Sequence, residues 1–230
     1  MKNTIIIGGS KGIGSGIVDL LKSDHNIIVL SRTAPVSHEN VTHFPFDILT
    51  DDINALNLPE KINHVVYCPG TINLKPFRSL KEEDFLNDYK INVLGSVTAL
   101  KAMQKGLKSS DGLSSVILFS TVAVGQGMPF HASVASAKGA VEGLTKALAA
   151  EWSSHTRVNC IAPSLTDTPL AAKLLSTDDK KESAANRHPL KRVGEVNDIA
   201  QAAAFLLSDN ASWITGQIIP VDGGMSSLRV

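Results

Sequence analysis

The feature that most constrains this chain is a glycine-rich turn between a predicted strand and a predicted helix near the N-terminus. Residues 4–7 form a β-branched apolar run, and GGSKGIG follows at once as residues 8–14. Apolar residues at three- and four-residue spacing then predict a helix over residues 12–22. Glycines allow a tight turn, and the free N–H groups of a helix start attract a pyrophosphate. The pattern therefore predicts a dinucleotide-binding unit.

Strand and helix patterns alternate along the rest of the chain. Further strands are predicted at residues 27–30, 64–68, 116–120, 157–161 and 217–221, and further helices at 82–108, 132–151 and 195–207. This alternation predicts a parallel sheet, and the apolar run VILF at 116–119 predicts strands that are buried on both faces. We therefore predict an α/β fold: a single doubly wound Rossmann-type domain over residues 1–230, with a largely parallel sheet of about seven strands.

Charge and cysteine usage narrow the possible partners. The chain has 22 basic and 22 acidic residues, so it lacks the positive excess of a nucleic-acid-binding protein and the polybasic tract of a membrane-surface protein. Its N-terminal apolar run is too short for a secretory core or a membrane span. No CxxC or His-rich spacing indicates a metal, and Cys68 and Cys160 are interpreted as reduced core residues. We expect a cytoplasmic protein that binds a small molecule, with no nucleic-acid or membrane partner.

One polar segment interrupts the regular pattern. Residues 176–191 are the most polar and least patterned stretch, and they lie within a segment, residues 168–192, that we interpret as a flap beside the substrate pocket. An ordinary surface loop is the alternative interpretation.

Ordered segments along nearly the whole chain resemble the short-chain dehydrogenase/reductase family. After the glycine turn come an Asp that follows the strand-like VTHFPF, CPG where the family usually has Asn-Ala-Gly, and INVLG. The segments ASAKGAVEGLTKALAAE, RVNCIAPSLTDTP and ITGQIIPVDGG then follow in family order. The resemblance implies a homodimer or homotetramer, in which the helices at 82–108 and 132–151 pair across two-fold axes.

The resemblance also implies a cofactor site at the same edge of the sheet. Asp47 matches the residue that contacts adenine, and residues 163–168 match the segment that holds the nicotinamide carboxamide and the diphosphate. The residues implied are Gly8, Ser10, Lys11, Gly12, Ile13, Gly14, Ser31, Arg32, Asp47, Ile48, Cys68, Pro69, Gly70, Lys138, Pro163, Ser164, Thr166 and Thr168.

The end of the second predicted strand indicates the form of the cofactor. Ser31 stands where a carboxylate would bind the ribose of NAD, and Arg32 follows immediately. A carboxylate would repel a 2′-phosphate, whereas arginine binds one through two hydrogen bonds. Lys11, inside the glycine turn, matches the second basic residue of family members that use NADP. The pair predicts NADP(H) as the cofactor; the alternative is that both are solvated surface cations.

The catalytic residues match the family only in part. Family members reduce carbonyls with Asn, Ser, Tyr and Lys, of which Asn92 and Lys138 match, and Thr121 falls at the serine position. Val134 occupies the tyrosine position and cannot donate a proton, a contribution worth about 10²–10⁴-fold in rate. We therefore expect slow carbonyl reduction. Structural roles also remain open for the matched residues, such as ribose binding by Lys138.

A histidine three residues before the valine is a candidate substitute. HASVASAK places His131 seven residues before Lys138, similar to the Tyr-x₆-Lys spacing of the enoyl-acyl-carrier-protein reductase branch. If the helix extends back to residue 131, His131, Val134 and Lys138 share one face. His131 would then donate to a developing enolate oxygen as a neutral N–H group, or to a carbonyl in acid. A histidine that merely packs near the helix start is the alternative.

Three functions fit these patterns. The first is an NADP(H)-dependent oxidoreductase that transfers hydride to or from a small carbonyl or enoyl-type substrate. The second is a catalytically impaired NADP(H)-binding sensor or scaffold. The third, a dimerisation unit without a ligand, fits poorly with Lys11 and Arg32.

Overall fold

Seven parallel strands form the single sheet of this protein, whose computed structural model describes residues 1–229. The order is β3-β2-β1-β4-β5-β6-β7, so the direction of strand succession reverses between β1 and β4. This confirms the predicted α/β fold. The strands are β1 (Lys2–Ile7), β2 (His25–Ser31), β3 (Val41–Pro45), β4 (His64–Tyr67), β5 (Ser114–Phe119), β6 (Thr156–Pro163) and β7 (Ile218–Val221).

Helices cover both faces of the sheet, because the central strands are apolar on both sides. One face carries α1 and α7, and the other carries α2, α3 and α5. The helices are α1 (Gly12–Leu21), α2 (Glu82–Tyr89), α3 (Gly95–Lys108), α4 (Ala123–Gln126), α5 (Ala132–Glu151), α6 (Asp178–Asn186) and α7 (Val196–Leu207). Within residues 1–229, no helix is both long and apolar enough to cross a bilayer.

The helix predicted over residues 82–108 is not one regular α-helix. It consists of α2, a π-helical turn at Lys90–Leu94, and α3. The backbone dihedral angles stay in the right-handed helical region at both junctions, so α2, the π-helical turn and α3 form one continuous helical segment. A π turn inserts an extra residue and shifts which side chains face inward. Asn92 lies in this turn and is buried there.

The segment at 168–192 is more ordered than its sequence suggested. It contains α6, which begins after Thr177, whose hydroxyl oxygen accepts a 3.3 Å hydrogen bond from the Lys180 N–H. Ala184 of this helix packs against Ala171 and Leu175. Residues 176–191 therefore contain a regular helix although their sequence shows no clear pattern, because a helix this short and polar has almost no hydrophobic periodicity to detect.

Candidate active site

The predicted site residues converge at one edge of the sheet. The glycine turn follows β1, residues 68–70 follow β4, Thr121 lies just beyond β5, and residues 163–168 end and follow β6. All of these are carboxyl ends of parallel strands, next to the point where the strand order reverses. In open α/β sheets this crevice is where ligands bind.

The glycine turn fits a diphosphate. Gly8 and Gly12 adopt φ angles of +79° and +56°, which side-chain-bearing residues rarely adopt. Helix α1 starts at Gly12 without a side-chain cap on its N-terminal N–H groups and without an acidic residue in its first turn. Those N–H groups therefore remain free to bind an anion.

Two neighbouring segments close around this turn. A Cβ at Gly8 would lie 3.3 Å from Cys68 Cβ and from Pro69 Cδ, and one at Gly12 would lie 3.5 Å from Thr168 Cβ. The Thr168 hydroxyl accepts from the Ala171 N–H at 3.3 Å, which fixes the shape of the segment after β6. The segments that the sequence assigned to the cofactor thus border the same crevice.

The Ser164 hydroxyl has a partner that the sequence analysis missed. Ser164 Oγ lies 2.8 Å from Nε2 of the buried His188, whose Nδ1 lies 2.8 Å from the Ala184 carbonyl oxygen. Because a carbonyl only accepts, Nδ1 carries the hydrogen, and Ser164 donates to Nε2. This bond links the segment after β6 to the end of α6. Nothing in the local sequence pattern indicated the pair.

The two cations predicted to bind a 2′-phosphate are exposed. Among the described residues neither Lys11 nor Arg32 forms an ion pair, so both are free for an anionic ligand. Ser31 is buried and donates to the Thr33 carbonyl oxygen at 2.8 Å, while Ser10 Oγ lies 3.0 Å from Thr33 Oγ1. Ser31 and Ser10 thus order the loop that carries Arg32.

The predicted adenine-side residues have structural partners as well. Asp47 Oδ1 accepts from the Leu49 N–H at 3.0 Å and so shapes the turn after β3. Ile48 packs into the core, and its Cγ1 would lie 3.2 Å from a Cβ at Gly95.

Lys138 is the buried cation of the site. It lies on α5, and its Nζ donates to the Phe119 carbonyl oxygen at 2.8 Å. Burial lowers the pKa of Lys138 to about 8, although Cys160, Cys68 and Asp88 act to raise it. A pKa this close to neutrality is suited to an amine that takes part in proton transfer.

Asn92 is held so that one polar atom remains without a partner. Its Nδ2 donates to the Asp88 carbonyl oxygen at 2.8 Å and to Thr71 Oγ1 at 3.0 Å. Its Oδ1 is buried and has no hydrogen-bond partner within residues 1–229. A Cβ at Gly70 would lie 3.3 Å from this Oδ1 and 3.4 Å from Lys138 Nζ. Both polar atoms therefore border one gap, which exists because residue 70 has no side chain.

Valine fills the position where a tyrosine was expected. Val134 is buried on α5. Thr121 accepts a hydrogen bond from the Ala123 N–H at 3.3 Å, which leaves the Thr121 hydroxyl hydrogen free to donate.

The two tyrosines of the chain do not replace the missing one. Tyr67 donates to the Ile91 carbonyl oxygen, and burial raises the pKa of its hydroxyl. Tyr89 is exposed on the outer side of α2. Neither tyrosine borders the gap beside Gly70.

His131 lies just outside the helix, so the condition under which it would share a helical face with Val134 and Lys138 is not met. Helix α5 begins at Ala132, and His131 is its N-cap with φ −99° and ψ 8°. Its Nδ1 lies 2.7 Å from the Pro129 carbonyl oxygen, so Nδ1 carries the hydrogen and Nε2 of the neutral ring has none. Only the imidazolium form can donate from Nε2. The idea of a neutral N–H donor therefore does not fit this geometry.

Thr71, Asp88 and Ser133 join the site although the sequence analysis did not single them out. Asp88 is almost fully buried, and its carboxylate accepts from the hydroxyls of Thr71 and Ser133. The one available signal was its position four residues before Asn92, which places both side chains on the same helical face.

A doubly wound sheet, a phosphate-binding glycine turn and a buried lysine–asparagine pair at the same edge define a nucleotide-binding oxidoreductase of the Rossmann type. The chain belongs to the short-chain dehydrogenase/reductase family. Residues 50–226 match the family model described as Enoyl-(Acyl carrier protein) reductase. This confirms the family assignment and the hydride-transfer class of enzyme.

Individual relatives cover most of the chain. A tropinone reductase homolog of Arabidopsis thaliana is 33% identical over 97% of this chain and 92% of its own. The peroxisomal 2,4-dienoyl-CoA reductase of Saccharomyces cerevisiae is 37% identical over 65% of this chain and 51% of its own. The structure of ElxO with NADP bound superposes with a TM-score of 0.86 at 26% identity, covering 99% of both chains.

Proposed function

We propose that this protein is an NADP(H)-dependent oxidoreductase that reduces an enoyl-type double bond conjugated to a carbonyl group. The observation that carries the proposal is the buried Val134 at the acid position, beside a retained Lys138 and Asn92. The site thus keeps groups that bind and polarise a substrate but lacks the usual proton donor to oxygen. Small carbonyl compounds should be reduced more slowly.

The chemistry of the two substrate types differs in what it needs from the protein. Reduction of a carbonyl places a localised negative charge on oxygen, which must be protonated as it forms. Reduction of a conjugated enoyl group delocalises the charge over an enolate, which needs hydrogen-bond donors and takes its proton afterwards at carbon. The free hydroxyl hydrogen of Thr121 supplies such a donor. When bound, a nicotinamide cofactor supplies the hydride.

The cofactor proposal rests on Lys11 and Arg32. Both are exposed at the phosphate-binding edge, and no carboxylate stands at residue 31. The NADP bound to ElxO and the dienoyl-CoA substrate named for the yeast relative support the cofactor and substrate classes. We also propose that residues 168–192 act as a flap over the substrate.

The second candidate is a catalytically impaired NADP(H)-binding sensor or scaffold. Val134 favours it, because the cofactor edge is intact while the acid is absent. A homodimer or homotetramer fits both candidates, and the exposed Leu86, Tyr89 and Leu94 along α2 and the π turn support it.

A substrate panel separates the candidates. NADPH oxidation should be measured with 2-enoyl and 2,4-dienoyl thioesters, and with aldehydes, ketones and quinones at matched concentrations. We expect the thioesters to react fastest and the Lys138→Met variant to lose that activity. Faster reduction of carbonyls would contradict the enoyl assignment. NADPH binding without turnover on any member of the panel would establish the sensor or scaffold.

A further inference from the structure

Asp88 is a carboxylate in an unusual place. It is 2% exposed, in the last turn of α2, and among the described residues it makes no ion pair. Burying a carboxylate is costly unless hydrogen bonds compensate it. Two hydroxyls do so here: Thr71 Oγ1 donates to Oδ1 at 2.7 Å, and Ser133 Oγ donates to Oδ2. Because burying the Asp88 carboxylate costs free energy, its position next to the candidate active site indicates a functional role.

The carboxylate dictates the direction of the hydrogen bonds around it. An ionised carboxylate only accepts, so the single hydroxyl hydrogen of Thr71 must point to Asp88. The Thr71 oxygen is then left to accept, and it accepts from Asn92 Nδ2 at 3.0 Å. The second hydrogen of Asn92 Nδ2 goes to the Asp88 backbone carbonyl. Both acceptors therefore require the Nδ2 donor of Asn92, rather than its Oδ1 acceptor, on the side that faces Thr71 and the Asp88 backbone.

The opposite side of the amide faces the reacting groups. With Nδ2 fixed, Asn92 Oδ1 borders the gap beside Gly70 that Lys138 Nζ also borders. We propose that Asp88 is a positioning residue for the oxidoreductase function proposed above. Its carboxylate holds Thr71 as an acceptor for Asn92 and, together with its own backbone carbonyl, presents the oxygen of Asn92, rather than its nitrogen, on the side of Lys138. The Asn92 oxygen, as an acceptor, favours the charged ammonium form of Lys138, whereas an amide N–H donor in its place would disfavour that form.

The same carboxylate supports both walls of the site. Ser133 precedes Val134 at the start of α5, so its bond to Asp88 ties that helix to α2. Asp88 also acts to raise the pKa of Lys138, as do Cys68 at the end of β4 and Cys160 on β6, against the larger effect of burial. Asp88 thus favours the ammonium form by its charge as well as through Asn92.

Three substitutions separate orientation from simple structural support. Asp88→Asn can offer its amide nitrogen to Thr71, which frees the Thr71 hydrogen to approach Asn92 and removes one of the two bonds that hold the Asn92 amide in place. Thr71→Val removes the hydroxyl but keeps the carboxylate and the shape, and Thr71→Ser keeps the hydroxyl. Glu83→Gln removes an exposed charge from the same helix and serves as the control.

The first measurement needs neither substrate nor cofactor. Solvent exchange of the Asn92 side-chain amide hydrogens is followed by ¹⁵N NMR, with Asn92→Asp assigning the signals. We expect Asp88→Asn and Thr71→Val to accelerate exchange about tenfold or more, and Thr71→Ser and Glu83→Gln to leave it within about twofold. Unchanged exchange in both Asp88→Asn and Thr71→Val would overturn the proposal.

The second measurement uses the substrate that the panel identifies. Asp88→Asn and Thr71→Val should lower kcat about tenfold or more, with little change in KM or NADPH affinity, while Thr71→Ser restores most of the loss. If Thr71→Ser and Thr71→Val lowered kcat equally, and lowered the melting temperature in proportion, the contact would give structural support alone and the proposal would be overturned. If the wild-type protein turns over nothing, the oxidoreductase proposal fails, and the amide exchange still decides the role of Asp88. Should Asp88→Asn not fold, Thr71→Val carries the test alone.

Discussion

Gly14 packs so closely on Gly8 that a Cβ at residue 14 would lie 2.3 Å from the Gly8 carbonyl oxygen. Real Cβ atoms do not approach a backbone oxygen this closely. Residue 14 must therefore be glycine, which has no Cβ, for the turn after β1 and the start of α1 to pack as they do. The tight contact brings the N–H groups of α1 up to the end of β1, where a diphosphate would bind.

Gly14→Ala should therefore disturb both stability and cofactor binding. We expect a loss of about 1–3 kcal/mol in the free energy of unfolding, typical of overpacking, and at least a tenfold weaker NADPH affinity by fluorescence titration. Gly143→Ala is the matched control, because Gly143 is exposed on α5 and a Cβ there would meet no atom outside the neighbouring backbone of its own helix within 4 Å. That control should stabilise the protein by about 0.5–1 kcal/mol. Similar effects of the two substitutions would contradict the steric explanation.

Arg32 and Lys11 should set the preference for NADPH over NADH. A hydrogen bond to a charged group contributes about 1.5–3 kcal/mol, so Arg32→Ala should weaken NADPH binding about tenfold or more while leaving NADH binding unchanged. Lys11→Ala should act in the same direction. Lys146→Ala removes an exposed cation from α5, away from this edge, and should alter neither affinity. The assignment would be wrong if both variants weakened NADPH and NADH equally.

The sequence predicted the parts of this protein that depend on long apolar runs and glycines. The sheet, the glycine turn and the convergence of strand ends all follow from such local signals. The π turn at Asn92 did not, because its apolar spacing resembles that of an ordinary α-helix. The helix start at Ala132 agrees with the helix predicted over residues 132–151. The bond between Ser164 and His188 escaped prediction, since it joins two distant segments of the chain. The sequence around Asp88 is typical of an exposed polar helix, and only tertiary packing buries this side chain.

Acid should destabilise the fold through His64. This side chain is buried at the start of β4, with Nδ1 at 3.1 Å from Thr4 Oγ1, and burial lowers its pKa to about 3. Unfolding restores the ordinary pKa of about 6.5, so below pH 6.5 the unfolded state takes up a proton that the folded state refuses. The stability contributed by neutral His64 is complete above that pH and is lost progressively as the pH falls towards 3.

The size of this effect is measurable. Between pH 7 and pH 5, His64 should lower the free energy of unfolding by about 2 kcal/mol. His64→Asn keeps a polar atom near Thr4 but cannot be protonated in this range, so its urea denaturation curves should show a correspondingly smaller loss over the same interval. An identical pH dependence in the two proteins would show that His64 is not the group responsible.

Val134→Tyr tests whether the site is an ordinary reductase pocket that lost its acid. Val134 lies on α5 one helical turn before Lys138, where a tyrosine hydroxyl could be influenced by the buried ammonium. We expect the variant to gain carbonyl reduction by about 10²-fold or more, measured as NADPH oxidation with ketones. Val134→Phe adds the ring without the hydroxyl and should show no gain. Equal rates in the tyrosine and phenylalanine variants would rule out the restored proton donor.

His131→Ala tests the remaining candidate for that proton. Since Nδ1 is committed to the Pro129 carbonyl oxygen, His131 donates to a substrate only as an imidazolium, through Nε2. The neutral ring therefore has no N–H group to offer a substrate, and we expect His131→Ala to keep turnover within about twofold of the wild-type rate. The enolate proton then comes from solvent, and turnover of the two proteins should show the same solvent isotope effect. A loss of about tenfold or more in His131→Ala would show instead that His131 supplies the proton.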